Sequence, residues 1–253
     1  MSMSLDGKVA VITGGASGVG LGIAQEFAAH GAQVVITDLD RSDLDRAVRQ
    51  IGSASTGIVA DVTDMAAMER MYHEVKTGHG RLDVVVANAG IGAHAPLGHI
   101  TEDQFDRTFD VNVKGVLFTV QPAVPLMPDG GAVVVIGSTG SIQPPAGMSL
   151  YGGSKAAVRC LVRAWIQDLK GSGIRMNVLS PGAVDTPSLR RAAEQAQGTD
   201  AVVPLIRAMG EGNPTGRIAD PREIGKAAVF LASDAADFVT GVELFVDGGT
   251  AQV

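Results

Sequence analysis

The chain has 253 residues, 45% of them hydrophobic and 19% charged. That excludes a disordered chain and suits one α/β domain spanning 1–253. Twenty Lys and Arg against 27 Asp and Glu leave a net charge of −7, and an acidic chain without a basic cluster is a poor nucleic-acid binder.

Short Val/Ile-rich runs alternate with helix-like segments. The runs occupy residues 9–13, 33–38, 58–61, 83–87, 132–138, 174–180 and 242–246. Uninterrupted apolar runs of this length read as parallel strands buried on both faces. Between the second and third runs, Leu44, Ala47, Val48 and Ile51 recur at helical spacing. Between the third and fourth, Met65, Met68, Tyr72 and Val75 do the same. After the fifth, the stripe is Val158, Leu161, Val162, Trp165 and Leu169. Residues 186–217 resist the pattern, with Pro187, Pro204 and Pro214 among mixed apolar and charged residues. A long excursion after a late strand reads as a substrate lid. Asp220-Pro221-Arg222-Glu223 then starts a helix, with an N-cap, Pro at N1 and an acid at N3. The alternation predicts a Rossmann-type, doubly wound parallel sheet of about seven strands with helices on both faces.

Residues 130–154 carry no charge but are broken by glycines, Pro144 and Pro145. They lack the ~20 consecutive apolar residues of a membrane span. The start of the chain has no basic-then-apolar leader, so a cytoplasmic location is expected. The single cysteine, Cys160, excludes an internal disulfide and a Cys-based zinc site. The five histidines show no metal-ligand spacing, so no metal is expected.

Thr13-Gly14-Gly15-Ala16-Ser17-Gly18-Val19-Gly20 follows the first strand and opens a helix. Such a turn lets backbone N–H groups approach a pyrophosphate at a helix N-terminus. The glycine spacing alone is a weak signal in a chain with 33 glycines. Its place on the first strand–helix turn gives it weight. About twenty residues on, Asp38 ends the second strand, where an acid accepts from a ribose 2′-OH. A carboxylate there repels a 2′-phosphate. Ser17 stands where a basic residue would serve NADP, and Arg41 lies three residues beyond the acid. NAD is therefore expected over NADP.

A secondary alcohol loses a proton from oxygen as hydride leaves carbon. A tyrosine can take that proton if its pKa falls from ~10, and a nearby cation lowers it. Tyr151 and Lys155 are four apart and share a helix face. Tyr72 and Lys76 have the same spacing, so the motif alone does not choose. Tyr151 follows the fifth strand across a Gly/Ser/Pro-rich loop, at the edge where open parallel sheets bind ligands. Tyr72 lies mid-helix on a Met stripe and is expected to pack structurally, its hydroxyl at the rim. Ser138, at the end of the fifth run, either holds a reacting oxygen or satisfies a loop. Asn112, polar among apolar neighbours, reads as a buried Asn bonding backbone. His94 either reaches the substrate mouth or is a solvated loop residue. Gly-x-Ser-x-Gly and a Walker A sequence are absent, which argues against a serine hydrolase and a P-loop ATPase.

As an ordered set, these residues resemble the short-chain dehydrogenase/reductase family along nearly the whole chain. The set is residues 13–20, Asp38, Asp61-Val62, Asn88-Ala89-Gly90, Asn112, Ser138, Tyr151 with Lys155, Pro181-Gly182 with Thr186, and Asp247-Gly248-Gly249. The resemblance implies a tetrad of Asn112, Ser138, Tyr151 and Lys155. Tyr151 would be the general acid/base, Lys155 its partner and a ribose ligand, Ser138 the holder of the substrate oxygen, and Asn112 the residue positioning a water. It implies that Asp61 and Val62 border the adenine, that Asn88–Gly90 lie against the cofactor, and that Val184 and Thr186 contact the carboxamide. It also implies a homotetramer, with the Tyr151 helix and the last strand at interfaces. The stretch before the fifth strand departs from the family in being short, with Pro122, Pro125 and Pro128.

The expected reaction is interconversion of a secondary alcohol and a ketone with NAD. The pocket is expected to be lined by Gln143 and Met148 after Ser138, and by a lid carrying Leu189, Val202, Val203, Leu205, Ile206 and Met209. Those side chains suggest an apolar or cyclic substrate. A 3-oxoacyl-thioester reductase of the same family is the alternative, and a non-catalytic nicotinamide sensor the third reading.

Overall fold

The computed structural model of the protein describes residues 3–92, 94–127 and 130–251. Seven parallel strands form one sheet: β1 (Val9–Thr13), β2 (Gln33–Asp38), β3 (Ser55–Val59), β4 (Val84–Ala87), β5 (Gly131–Ile136), β6 (Ile174–Pro181) and β7 (Glu243–Val246). Their order is β3-β2-β1-β4-β5-β6-β7. The order reverses between β1 and β4, so their carboxyl ends open the crevice in which such sheets bind ligands.

Nine α-helices lie among the described residues: α1 (Gly18–Ala29), α2 (Arg41–Ile51), α3 (Met65–His79), α4 (Glu102–Phe109), α5 (Gly115–Val120), α6 (Ser149–Asp168), α7 (Pro187–Gln197), α8 (Val202–Glu211) and α9 (Pro221–Ala232). Successive strand residues point to opposite faces. Ile12, Ile36 and Val86 therefore pack with Phe27 of α1, Leu44 of α2 and Val229 of α9. Val11, Val35 and Val85 pack with Met68 of α3, Val120 of α5 and Val158 of α6 on the other face. Helix α9 begins as its sequence requires: Asp220 and Glu223 form a capping box around Pro221, and Arg217 holds the Glu223 carboxylate at 2.6 Å.

Several expectations are corrected. The third strand runs earlier than residues 58–61. Pairing with β2 draws in Ser55, Thr56 and Gly57, which have no apolar signature. As an edge strand, β3 is not buried on both faces. The fourth strand starts at Val84, one residue later than expected, although the Asp83 backbone still bonds Val9 and Ala132 on either side and its carboxylate accepts from the Val9 N–H and pairs with Arg81. The fifth strand ends at Ile136, which leaves Ser138 two residues beyond it. The excursion at 186–217 is largely helical, built from α7, α8 and a 3-10 turn between them. Pro128 lies outside the described residues.

Candidate active site

The glycine-rich turn is shaped by its own backbone. Gly14 and Gly18 take φ of +62° and +54°, values that side chains rarely adopt. At Gly20 a Cβ would meet the Gly14 carbonyl and the Asn88 amide. Thr13 Oγ1 accepts from the Asn88 and Ala89 N–H groups, and Asn88 Nδ2 donates to the Thr13 and Gly14 carbonyls at 2.9 and 3.0 Å. This stitches the β1 turn to the end of β4. The Asp38 carboxylate accepts from the Ala16 N–H at 3.2 Å, which puts the acid beside the turn. Ser17 caps α1 by position only, with no side-chain bond to the helix. Gly18 and Val19 are the first two residues of that helix. The donors, the helix N-terminus and the carboxylate fit a dinucleotide.

The other residues expected on the nucleotide side have these settings. Asp61 accepts from Thr63 at 2.8 Å in an exposed turn, and Val62 is buried against Gly115. Pro181 ends β6, and the Gly182 N–H donates to the Val246 carbonyl. Val184 forms an isolated bridge to Ala219. Thr186 caps α7 through the Leu189 N–H, with its methyl group close to Gly18.

Ser138, Tyr151 and Lys155 converge beyond β5. Ser138 is extended and caps the 3-10 turn 139–141, its Oγ accepting from the Gly140 N–H at 3.1 Å. Helix α6 starts at Ser149, so Tyr151 is in its first turn, and the Ser138 side chain lies near enough to the phenol to act on its pKa. Gly140 lies between that hydroxyl and the Tyr151 ring. Lys155 is buried, donates from Nζ to the Ile136 carbonyl at 2.8 Å and lies 5.9 Å from the centre of the Tyr151 ring. Burial pushes Lys155 down to about 8. Lowering of Tyr151 by the lysine is not seen: burial pushes the phenol up, and only the Ser138 side chain pulls it down. The ammonium here serves a carbonyl rather than the hydroxyl.

Asn112 is fully buried in a π-helical turn (Asp110–Lys114) between α4 and α5. Its Oδ1 accepts from the Ile91 N–H at 2.8 Å. Its Nδ2 donates to the Ile91 carbonyl at 3.0 Å and to Ser154 Oγ at 2.9 Å. Ser154 in turn donates to the Tyr151 carbonyl. Asn112 thus links the loop after β4 to α6, with Gly90 packed against both its Oδ1 and the Lys155 Nζ. Sequence reasoning missed Ser154 and the Thr13 hydroxyl. The Tyr151-to-Ser154 spacing of three on one helix face was the available signal for the first.

Tyr72 is buried, and its hydroxyl donates to the Thr119 carbonyl at 2.6 Å. The expectation of a hydroxyl at the rim is therefore corrected: α5 covers it. Lys76 bonds the Gly80 carbonyl instead. Gln143 is exposed and Met148 half-buried on the loop entering α6, while Leu189 is half-buried in α7. The exposed His94 lies against Gly147 on that loop. A cavity of about 340 Å³ opens beside Ser17, Gly18, Arg46 and Pro187.

A family model described as Enoyl-(Acyl carrier protein) reductase matches residues 14–251. The chain is 42% identical over 251 residues to the oxidoreductase asL5 of Sarocladium schorii, covering 98% of each. It is 35% identical over 252 residues to galactitol 2-dehydrogenase of Agrobacterium fabrum, again covering 98% of each. Its fold matches the crystal structure of 3-ketoacyl-(acyl-carrier-protein) reductase from Brucella melitensis complexed with NADH. The TM-score is 0.88 at 32% identity, with 98% of this chain and 100% of that one covered. With the switch-point turn, the buried Asn112 and the Ser138–Tyr151–Lys155 cluster on one sheet edge, the chain belongs to the short-chain dehydrogenase/reductase family of oxidoreductases.

Proposed function

We propose that the protein interconverts a secondary alcohol and a ketone with NAD(H), Tyr151 acting as the general acid/base. The observation that carries this reading is the convergence of Ser138, Tyr151 and Lys155 beside the glycine-rich turn. Ser138 and the Tyr151 hydroxyl present two hydrogen-bonding groups to one substrate oxygen, which suits polarising a carbonyl. A phenol kept protonated by burial suits delivery of a proton to that oxygen during reduction. Lys155 and the Asp38 carboxylate supply polar partners for the ribose hydroxyls, and the α1 N-terminus for the pyrophosphate. Gly14, Ser17, Gly18, Val19 and Gly20 frame that pyrophosphate, Asp61 and Val62 the adenine, and Asn88, Ala89, Gly90, Pro181, Gly182, Val184 and Thr186 the nicotinamide half. A bound nicotinamide supplies the hydride carrier. Asp38 favours NAD, since a carboxylate beside the Ala16 N–H repels a 2′-phosphate.

Gln143, Met148 and Leu189 flank the route to Tyr151 and favour an apolar or cyclic substrate. The Brucella reductase favours a 3-oxoacyl thioester as the second reading, and its NADH means that cofactor preference does not separate the two. We expect a homotetramer in the cytoplasm, with α6 and β7 at interfaces. No helix among the described residues is long and apolar enough to cross a membrane.

The test is oxidation of NADH and NADPH against cyclic, aryl and β-keto-thioester carbonyls, with Tyr151→Phe beside the wild type. Turnover of cyclic or aryl ketones with NADH, reduced at least ~100-fold in the variant, is the expected result. Preference for the thioester would establish the second reading. An unaffected variant would remove Tyr151 from the chemistry.

A further inference from the structure

Glu243 stands at the start of β7, and its side chain is 8% exposed although it carries a charge. A buried carboxylate persists only where partners replace its water. Three do. Oε1 accepts from Ser141 Oγ at 3.2 Å and from Ser180 Oγ at 2.8 Å. Oε2 accepts from Arg159 Nη1 at 3.2 Å. The partners come from three separate elements: the 3-10 turn after β5, strand β6 and helix α6.

Two of those elements carry the cluster proposed to do the chemistry. Arg159 sits one turn beyond Lys155 and two beyond Tyr151 on α6. Ser141 closes the turn that Ser138 caps, its N–H donating to the Ser138 carbonyl at 2.9 Å. The same turn packs on the first turn of α6, where a Cβ at Gly152 would press on the Gly140 carbonyl. Glu243 therefore grips the Ser138 turn through one oxygen and the Tyr151 helix through the other. Nothing else polar is bonded to the Ser141 hydroxyl among the described residues.

We propose that Glu243 is a positioning residue that sets the distance between Ser138 and Tyr151 by clamping Ser141 and Arg159 to one carboxylate. The proposal rests on the reading of Ser138 and Tyr151 as the pair that holds the substrate oxygen. Geometry at such a pair is exacting, because misplacement by about 1 Å can cost a factor of ~100 in rate. The glycine-rich turn and Asp38 lie across the crevice on β1 and β2, and of the proposed ribose partners only Lys155 shares α6 with the clamp, so nucleotide affinity is expected to fall far less than turnover. Ser180 shares Oε1 but belongs to β6, where its hydroxyl lies against Gly137 and makes no hydrogen bond to the turn.

The experiment measures kcat, NADH affinity by fluorescence and thermal unfolding for Glu243→Ala, Glu243→Gln, Ser141→Ala, Ser180→Ala and Ser138→Ala. Glu243→Ala and Ser141→Ala are expected to lower kcat by about tenfold or more while NADH affinity stays within about twofold. Glu243→Gln keeps an oxygen for both serines but turns an amide N–H toward Arg159, so it is expected to recover only a small part of the kcat lost in the alanine variant. Ser180→Ala is expected to keep kcat near wild type. The proposal is overturned if Glu243→Ala and Ser141→Ala lower the unfolding temperature but leave kcat unchanged. It is equally overturned if Ser180→Ala and Ser141→Ala lower kcat alike, or if kcat and NADH affinity fall together. Ser138→Ala separates the two readings. If that variant keeps its kcat, the assignment of Ser138 fails; if it loses kcat while Glu243→Ala does not, only the clamp fails.

Discussion

Replacing Asn112 by alanine tests the link on which the geometry of the site depends. The amide closes three hydrogen bonds, to the Ile91 N–H, the Ile91 carbonyl and Ser154 Oγ. Ile91 is only half-buried, so water can partly replace its two bonds, and each costs about 1 kcal/mol at the low end of the range. Ser154 keeps its donor bond to the Tyr151 carbonyl at 2.7 Å and loses only an incoming one. With the small void left by the amide, the total is about 3 kcal/mol. At ~2–4 °C per kcal/mol for a chain of this size, the midpoint falls by roughly 6–12 °C. Circular dichroism during thermal unfolding reads this directly. An aspartate at 112 sharpens the test. It keeps an acceptor for the Ile91 N–H but turns a carboxylate oxygen toward the Ile91 carbonyl, where the amide donated. Its folded pKa is therefore raised. The variant should be most stable below the ordinary carboxylate range near ~4 and lose stability as pH rises through the raised value. An alanine variant within ~0.5 kcal/mol of wild type, or an aspartate variant whose deficit does not grow with pH, would refute the reasoning.

Tyr72→Phe removes a hydroxyl that donates to the Thr119 carbonyl inside the core; it should cost about 1–2 kcal/mol in urea unfolding and leave kcat unchanged, and a large loss of turnover would reverse the assignment of the two Tyr-x-x-x-Lys pairs. Burial raises Tyr151 above the ordinary phenol value, so the phenol is protonated at neutral pH. Alcohol oxidation, which needs the phenolate, should then climb as pH rises from neutral toward ~10, whereas carbonyl reduction should not. Parallel pH–rate profiles in the two directions would contradict this.

Much of the frame was legible in the residues themselves. Two periodicities, one of Val/Ile runs and one of helical stripes, separate strands from helices because backbone geometry dictates where side chains point. Asp220-Pro221 with Glu223 started its helix as read, since capping is local chemistry. Boundaries failed where a neighbour decided them. Ser55–Gly57 joined β3 because β2 offers hydrogen-bonding groups at that level, and side-chain hydropathy carries no trace of such pairing.

The site divides in the same way. The turn at residues 13–20 and the spacing from Tyr151 to Lys155 are short-range features, so the sequence alone determined them. Which of two identical tyrosine–lysine spacings faces the crevice was decided by the fold: α5 buries Tyr72, while the loop after β5 delivers Tyr151 to the sheet edge. The ionisation of that pair was also tertiary, because burial pushes the phenol up and the ammonium down, which the spacing does not show. The contacts hardest to read were Asn112 with Ser154 and Glu243 with Ser141, which are 42 and 102 residues apart. A lone Asn or Glu has no periodic signature, and only the packing of distant elements around it removes its water and gives it partners.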